Sequence, residues 1–279
     1  MEGLIQMPYD ATVKLMLSSL ERNLLPDAVV RRLTRLLLGV RLRWGYKLSA
    51  ELQLSQLLQF VHSLKEMPIA VQTEKPKEQH YEVPTSFFRL ALGKHLKYRD
   101  RQLQNVEIHV ADISKFEMEA SFDRIYSIEM FEHMKNYRDL LGKISKWMKQ
   151  DGRLFVHHFC HKVFPYHFED TQEEDWLARY FFSGGTMPSA NLLLYFQLSP
   201  PTLYRMLIDT VLNACSEEWL KRMDKNMGSI KPIMESTYGK DQAVKWTVYW
   251  RTFFMAVAEL FRYNNGEEWL VALYLFKKK

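Results

Sequence analysis

Two carboxylates and an imidazole stand at offsets 0, +3 and +4 in the stretch YSIEMFEHMKNY, residues 126–137: Glu129, Glu132 and His133. On a helical turn these offsets share one side. Side chains of these types held together can take up and release protons, which is the work of general acid–base catalysis. Carboxylates at a helix start are also favoured by the positive end of the helix dipole. At this level both readings stand, a proton-handling site or the charged start of a solvated helix.

A second run, HHFCHKVFPYH, holds His157, His158, Cys160, His161 and His167. These are metal-ligating types, but adjacent residues on a strand face opposite sides and the spacing fits no common zinc pattern. The preferred reading is strand-end packing with one histidine entering a pocket, and no metal is assigned.

Both clusters follow runs that read as strands. NVEIHVADI (105–113), FDRIYSI (122–128) and RLFVHHF (153–159) are β-rich, and they close on Asp112, the acidic cluster and the histidines in turn. Between the last two, YRDLLGKISKWMKQDG has the spacing of an amphipathic helix ending at Gly152. Strands joined by helical crossovers predict an α/β fold, a parallel sheet covered by helices. In such a sheet, ligands bind beyond the C-terminal strand ends. EEWLVALYLF near the C-terminus offers a last strand, or a helix-to-strand segment.

Upstream, the first seventy residues read as helices. Asp10 is a candidate cap for ATVKLMLSSLERNLL, and Pro26-Asp27 opens AVVRRLTRLLLGVRLRWG. A third helix, SAELQLSQLLQFVHSLKEM, ends before Pro68. The polar stretch EKPKEQ (74–79) divides a helical region, 1–73, from an α/β region, 80–279. Arg31, Arg32, Arg35, Arg41 and Arg43 on the second helix suit a membrane surface or an acidic partner. They equally suit a helix that packs one face and solvates the other, the preferred reading because more helix follows. AVKWTVYWRTFFMAVAEL (243–260) reads as core in preference to a pocket for a flat ligand.

With 279 residues, 47% hydrophobic and 25% charged, the composition is that of a soluble globular protein. The net charge of +5 is mild and demands neither nucleic acid nor membrane. Cys160 and Cys215 alone suggest no disulfide framework and a reducing compartment. The first ten residues lack the basic-then-apolar order of a secretory signal, and no apolar run approaches the ~18 residues of a membrane span. A cytoplasmic location, without nucleic acid or integral membrane contact, is expected. None of the eleven glycines forms a GxGxxG turn after a strand, so no cofactor loop is legible.

Several stretches together resemble plant (S)-coclaurine N-methyltransferases: QHYEVPTSFF, ADISKF, FDRIYSIEMFEHMKNY, RLFVHHFCHK, FFSGGTMPSANLLLYFQ, EEWLKRMDKN and YNNGEEWLVALYLFKKK. These are S-adenosylmethionine-dependent enzymes related to cyclopropane-fatty-acyl-phospholipid synthases. The resemblance runs from the N-terminal helices to the final lysines. It implies a Rossmann-like class I methyltransferase fold with a helical N-terminal region, S-adenosyl-L-methionine as cofactor, and a small-molecule amine as substrate. A lipid-modifying enzyme of the cyclopropane-synthase kind and a non-catalytic splice product remain the alternatives, and a homodimer is allowed. By position, the resemblance gives Glu129, Glu132 and His133 the acid–base cluster. It puts Asp112 and Ile113 against the adenine, Ile128 beside the cofactor, and Tyr81 facing the active site from an entry helix.

The implied chemistry needs such a cluster. Methyl transfer to nitrogen requires a free lone pair, and a dialkylammonium with a pKa near that of lysine leaves only about one molecule in ~10³ deprotonated at pH 7. Recovering that deficit corresponds to roughly 4 kcal/mol. Glu132 and His133 are expected to accept the proton, and Glu129 to orient the cation.

In two places the chain departs from the family pattern. Tyr98-Arg99 runs straight into Asp100-Arg101, where the family has a first strand, its glycine-rich loop, a crossover helix and a second strand. A βαβ unit needs on the order of 30 residues, so the sheet is expected to be incomplete and cofactor binding weak. After Gln197, LSPPTLYRMLIDTVLNACS replaces a valine-rich strand and the residues that follow it. The expected consequences for the strand ending at Asp112 are pairing with a new neighbour, displacement, or an open apolar edge.

Overall fold

In a computed structural model of the chain, the described residues are 2–73, 83–93, 107–171, 175–197, 202–209 and 212–278. Helix α1 (Glu2–Glu21) leads to α2 (Asp27–Gly45) and α3 (Ala50–Lys65). Asp10 lies within α1 and does not begin it. Ser49 caps α3, its hydroxyl accepting from the Leu52 N–H at 3.2 Å. A short helix, α4 (Thr85–Leu92), precedes β1 (Phe122–Ile128).

Helix α5 (Tyr137–Lys146) then crosses to β2 (Met148–His161). The helix stops six residues before Gly152 because Trp147 and Met148 turn into the core. The chain reverses at Asp151, φ 62°, and at Gly152, where a Cβ would stand 2.7 Å from the Lys149 carbonyl.

Beyond β2 come the short pair β3 (Tyr166–His167) and β4 (Thr186–Met187), with α6 (Trp176–Tyr180) between them. Strand β5 (Thr202–Asp209), α7 (Leu212–Lys225), α8 (Met227–Tyr238), α9 (Lys240–Arg262) and β6 (Trp269–Lys277) complete the chain.

The main sheet has the order β1-β2-β6-β5. Only β1 and β2 are parallel; β2–β6 and β6–β5 are antiparallel. The mixed sheet arises because α9 delivers the chain to the far end of β2. There Asn264 and Asn265, both in the left-handed region that asparagine tolerates, turn it back. The departing sequence after Gln197 still supplies an edge strand, β5.

Over the described part of the expected strand 105–113 no strand forms: residues 107–121 carry none, and Ile108 and Val110 are exposed. A strand persists only where a neighbour takes its N–H and C=O groups. Among the described residues, no strand lies beside residues 107–113 to do so. Of the three expected outcomes the structure takes the last, with β1 at the rim of the described sheet and Tyr126 and Ile128 exposed.

Two cores flank the sheet, as strand alternation requires. Leu154, Val156, Cys160, Leu270, Ala272, Tyr274 and Phe276 face one core with α3 and α5. Phe159, Trp269 and Val271 face the other, which is built on α9 with α2, α4, α7 and α8. Helices of the N-terminal region thus share a core with α9. The aromatic run of α9 is core, with Tyr249, Trp250, Phe254 and Phe261 buried.

Three of the α2 arginines are tied into this packing. Arg31 bonds Glu217 at 2.6 Å and Glu259 at 2.9 Å, Arg35 bonds Glu259, and Arg41 lies 4.8 Å over the Tyr166 ring. Among the described residues, no helix is long and apolar enough to cross a membrane.

Candidate active site

The site forms where β1 and β2 end side by side. Ile128 is in register with His157, and the Glu129 N–H donates to the His157 carbonyl at 3.0 Å. Glu129 then takes φ 50°, rare for a side chain of its kind. Its Oε1 lies 2.8 Å from His157 Nδ1.

A 3₁₀ turn, Phe131–His133, follows and buries Glu132 to 1% exposure. The turn is held from below. Tyr137 Oη donates to the Phe131 carbonyl at 3.1 Å, and Thr186 Oγ1 donates to the Met134 carbonyl at 3.0 Å. Gly185 passes so close that a Cβ there would meet the Glu132 carbonyl at 2.8 Å. The His133 ring stacks on Phe182 with centroids 5.7 Å apart.

Electrostatics divides the two carboxyls. Burial, the Glu129 charge and a hydrogen bond to Glu129 together raise the Glu132 pKa well above the usual range. Burial acts the same way on Glu129, but hydrogen bonds from His157 and Glu132 overcome it and hold that carboxyl below the usual range. The two shifts run in opposite directions and favour a proton on Glu132 and the negative charge on Glu129. The side chain of Glu129 is 44% exposed, so an incoming cation can reach the charged member.

The remaining histidines are apart from this pair. His158 faces the opposite side of the sheet, stacked on Tyr274 at 5.4 Å, and burial pushes its pKa down to about 4. His161 is buried 3.4 Å from Glu268, and His167 lies 2.7 Å from Lys135 Nζ. Lys135 is itself buried, donates to the Gly185 carbonyl at 2.7 Å, and has its pKa lowered to about 8 by burial. Among the described residues, no group of three or more His, Cys, Asp or Glu could hold a metal ion.

The structure brings Glu129, Glu132 and His133 to one strand end but places the three expected cofactor contacts differently. Asp112 sits in its own turn, Oδ1 accepting from Ser114 N at 2.9 Å and Ser114 Oγ at 2.7 Å. Ile113 packs toward the core beside α5, while Ile128 is exposed at the end of β1. Tyr81 lies outside the described residues. With Asp112 in a turn off the sheet, and no glycine-rich turn in the sequence, the described residues do not build a cradle for a nucleotide cofactor.

Sequence reasoning left open which histidine enters the site, because alternation places 157 and 158 on opposite faces without saying which is which. The register of β1 on β2 selects His157. Tyr137 and Gly185 gave no signal beyond their types.

The fold and the paired carboxyls at the strand ends define a class I methyltransferase. A family model, mycolic acid cyclopropane synthetase, matches residues 99–267. The (S)-coclaurine N-methyltransferase of Thalictrum flavum subsp. glaucum is 36% identical over 358 residues, covering 100% of this chain and 99% of the relative. That of Papaver somniferum is 37% identical over 343 residues, covering 95% and 98%. A crystal structure of coclaurine N-methyltransferase bound to N-methylheliamine and SAH superposes with a TM-score of 0.90 at 33% identity, covering 96% of this chain and 100% of that one. The chain belongs to the coclaurine N-methyltransferase family, whose cofactor is S-adenosylmethionine. An alignment of 358 positions over 279 residues leaves part of the Thalictrum relative without a counterpart here.

Proposed function

We propose that the chain is an S-adenosylmethionine-dependent N-methyltransferase of small amines, cytoplasmic, with cofactor affinity and turnover below those of its complete relatives. The observation that carries the reading is the carboxyl pair at the end of β1: Glu129, exposed and 2.8 Å from His157 Nδ1, against Glu132, buried to 1% exposure. An ammonium approaching Glu129 meets a carboxylate already oriented by His157 at 2.8 Å. Glu129 accepts its proton, and the His133 ring, fixed on Phe182, borders the same turn. Glu132 stays neutral and holds its partner in place. This assignment gives Glu129 the accepting role that the sequence reading gave to Glu132 and His133.

Amine binding supports this reading over the lipid-enzyme alternative because the site presents one exposed negative charge. The reduced affinity is inferred from the placement of Asp112 and the exposed end of β1. Calorimetric titrations of the full chain with heliamine (N-methylheliamine without its methyl group) and with S-adenosylmethionine test both parts. Saturable amine binding with cofactor binding at least ~10-fold weaker than in a complete relative is expected, a difference of about 1.4 kcal/mol. Tight cofactor binding without amine binding would reject the proposal.

A further inference from the structure

We infer that His157 is a positioning residue for the amine site: its imidazole, with Nδ1 2.8 Å from Glu129 Oε1, pairs with that carboxylate and fixes which of the two carboxyls carries the charge. The inference rests on the proton-accepting reading of Glu129 and extends it to a residue outside the acid–base cluster.

The geometry joins residues 129 and 157 twice. The Glu129 N–H bonds the His157 carbonyl at 3.0 Å, which is the last rung of the β1–β2 pairing. The side chains then meet at 2.8 Å. Between these two contacts Glu129 holds φ 50°, a strained conformation for a non-glycine residue that persists where surroundings over-determine it. The strained backbone turns the carboxylate back over β2 toward the imidazole.

His158, the next residue, cannot take this role, because its ring lies in the opposite core between Phe131 and Tyr274. The groups acting electrostatically on Glu129 are His157, His158 and Glu132, and those acting on Glu132 are Glu129 and Tyr137. Of these, His157 approaches the Glu129 carboxylate from β2, at 2.8 Å, and Glu132 belongs to the 3₁₀ turn that follows it.

The physical consequence is an ordered pair. Two adjoining carboxyls sharing one proton have no intrinsic preference for which bears it. A donor on one of them breaks the tie, since a hydrogen bond to the charged form favours that form. Burial of Glu132 acts in the same direction. With the imidazole donor removed, the proton spreads onto Glu129, and the group facing the amine loses part of its charge.

The test follows heliamine binding by calorimetry from pH 3.5 to 8 in the native chain, His157→Leu, His157→Gln and Glu129→Gln. Native binding is expected to weaken as falling pH protonates Glu129. In His157→Leu that acid limb moves up by about one pH unit, a tenfold loss of affinity within the limb. His157→Gln, which keeps a side-chain N–H donor, restores it. An identical limb in the native and Leu proteins overturns the inference. Should Glu129→Gln bind as the native chain does, the amine-site reading itself fails, and the two failures are thereby told apart.

A second measurement needs no variant. Nitrogen-15 NMR of histidine-labelled native protein should show the His157 ring protonated at Nδ1 at pH 7. A neutral ring protonated only at Nε2 overturns the inference.

Discussion

Glu132 is a carboxyl that the fold keeps neutral. Its pKa is raised in the folded chain by burial first and then by Glu129. The stability linked to a raised pKa is fully present below the unfolded value near 4.5 and is lost as pH rises through the folded value. Glu132→Gln keeps the shape and removes the ionisation. From pH 7 to 9, above the window in which the histidines contribute, its melting temperature should therefore fall less than that of the native chain; parallel curves would show that the fold does not keep Glu132 neutral. At the same scale, the offsets of Glu129, Glu132 and His133 were legible because they are local. His157 was ambiguous because its role depends on a pairing register between distant segments.

Among the elements, the packing of α2 on α9 converts a basic helix into a structural one. The side chain of Glu259 is buried and receives both Arg31 and Arg35. Glu259→Gln leaves two guanidinium groups without their shared charge. It should cost about 2 kcal/mol, the worth of hydrogen bonds to charged groups at a half-buried site, read from urea denaturation. A change below ~0.5 kcal/mol would return these arginines to the solvated class. Gly185→Val should cost a further 1–3 kcal/mol by overpacking against the Glu132 and Phe182 carbonyls.

The helices and the strands β1, β2 and β6 were readable from periodicity, because the burial that stabilises them follows the same period. The stretch 105–113 reads as a strand by composition and fails for want of a neighbour, which no local pattern records. The antiparallel return of β6 depends on where α9 ends and was equally invisible.

At the scale of the whole molecule, two buried histidines and a partly buried third make the fold acid-sensitive. His158, His161 and His167 each have pKa values lowered to about 4, with burial the leading cause. A depressed pKa contributes stability that is present above the unfolded value near 6.5 and lost as pH falls toward 4. Each such group adds about 1.4 kcal/mol per pH unit across that window. Denaturation midpoints should therefore fall steeply between pH 6.5 and 4, and His158→Phe should flatten the slope.

Methyl transfer itself provides the most direct measurement of the account. With methyl-labelled S-adenosylmethionine in excess and heliamine as acceptor, product formation is followed in the native chain and in Glu129→Gln from pH 7 to 10. The account predicts a deficit of about 10²-fold or more in the variant at pH 7. That deficit should shrink as pH nears the amine's own pKa, where solvent supplies the free base. Equal rates at pH 7, or a deficit unchanged up to pH 10, would contradict proton acceptance by Glu129.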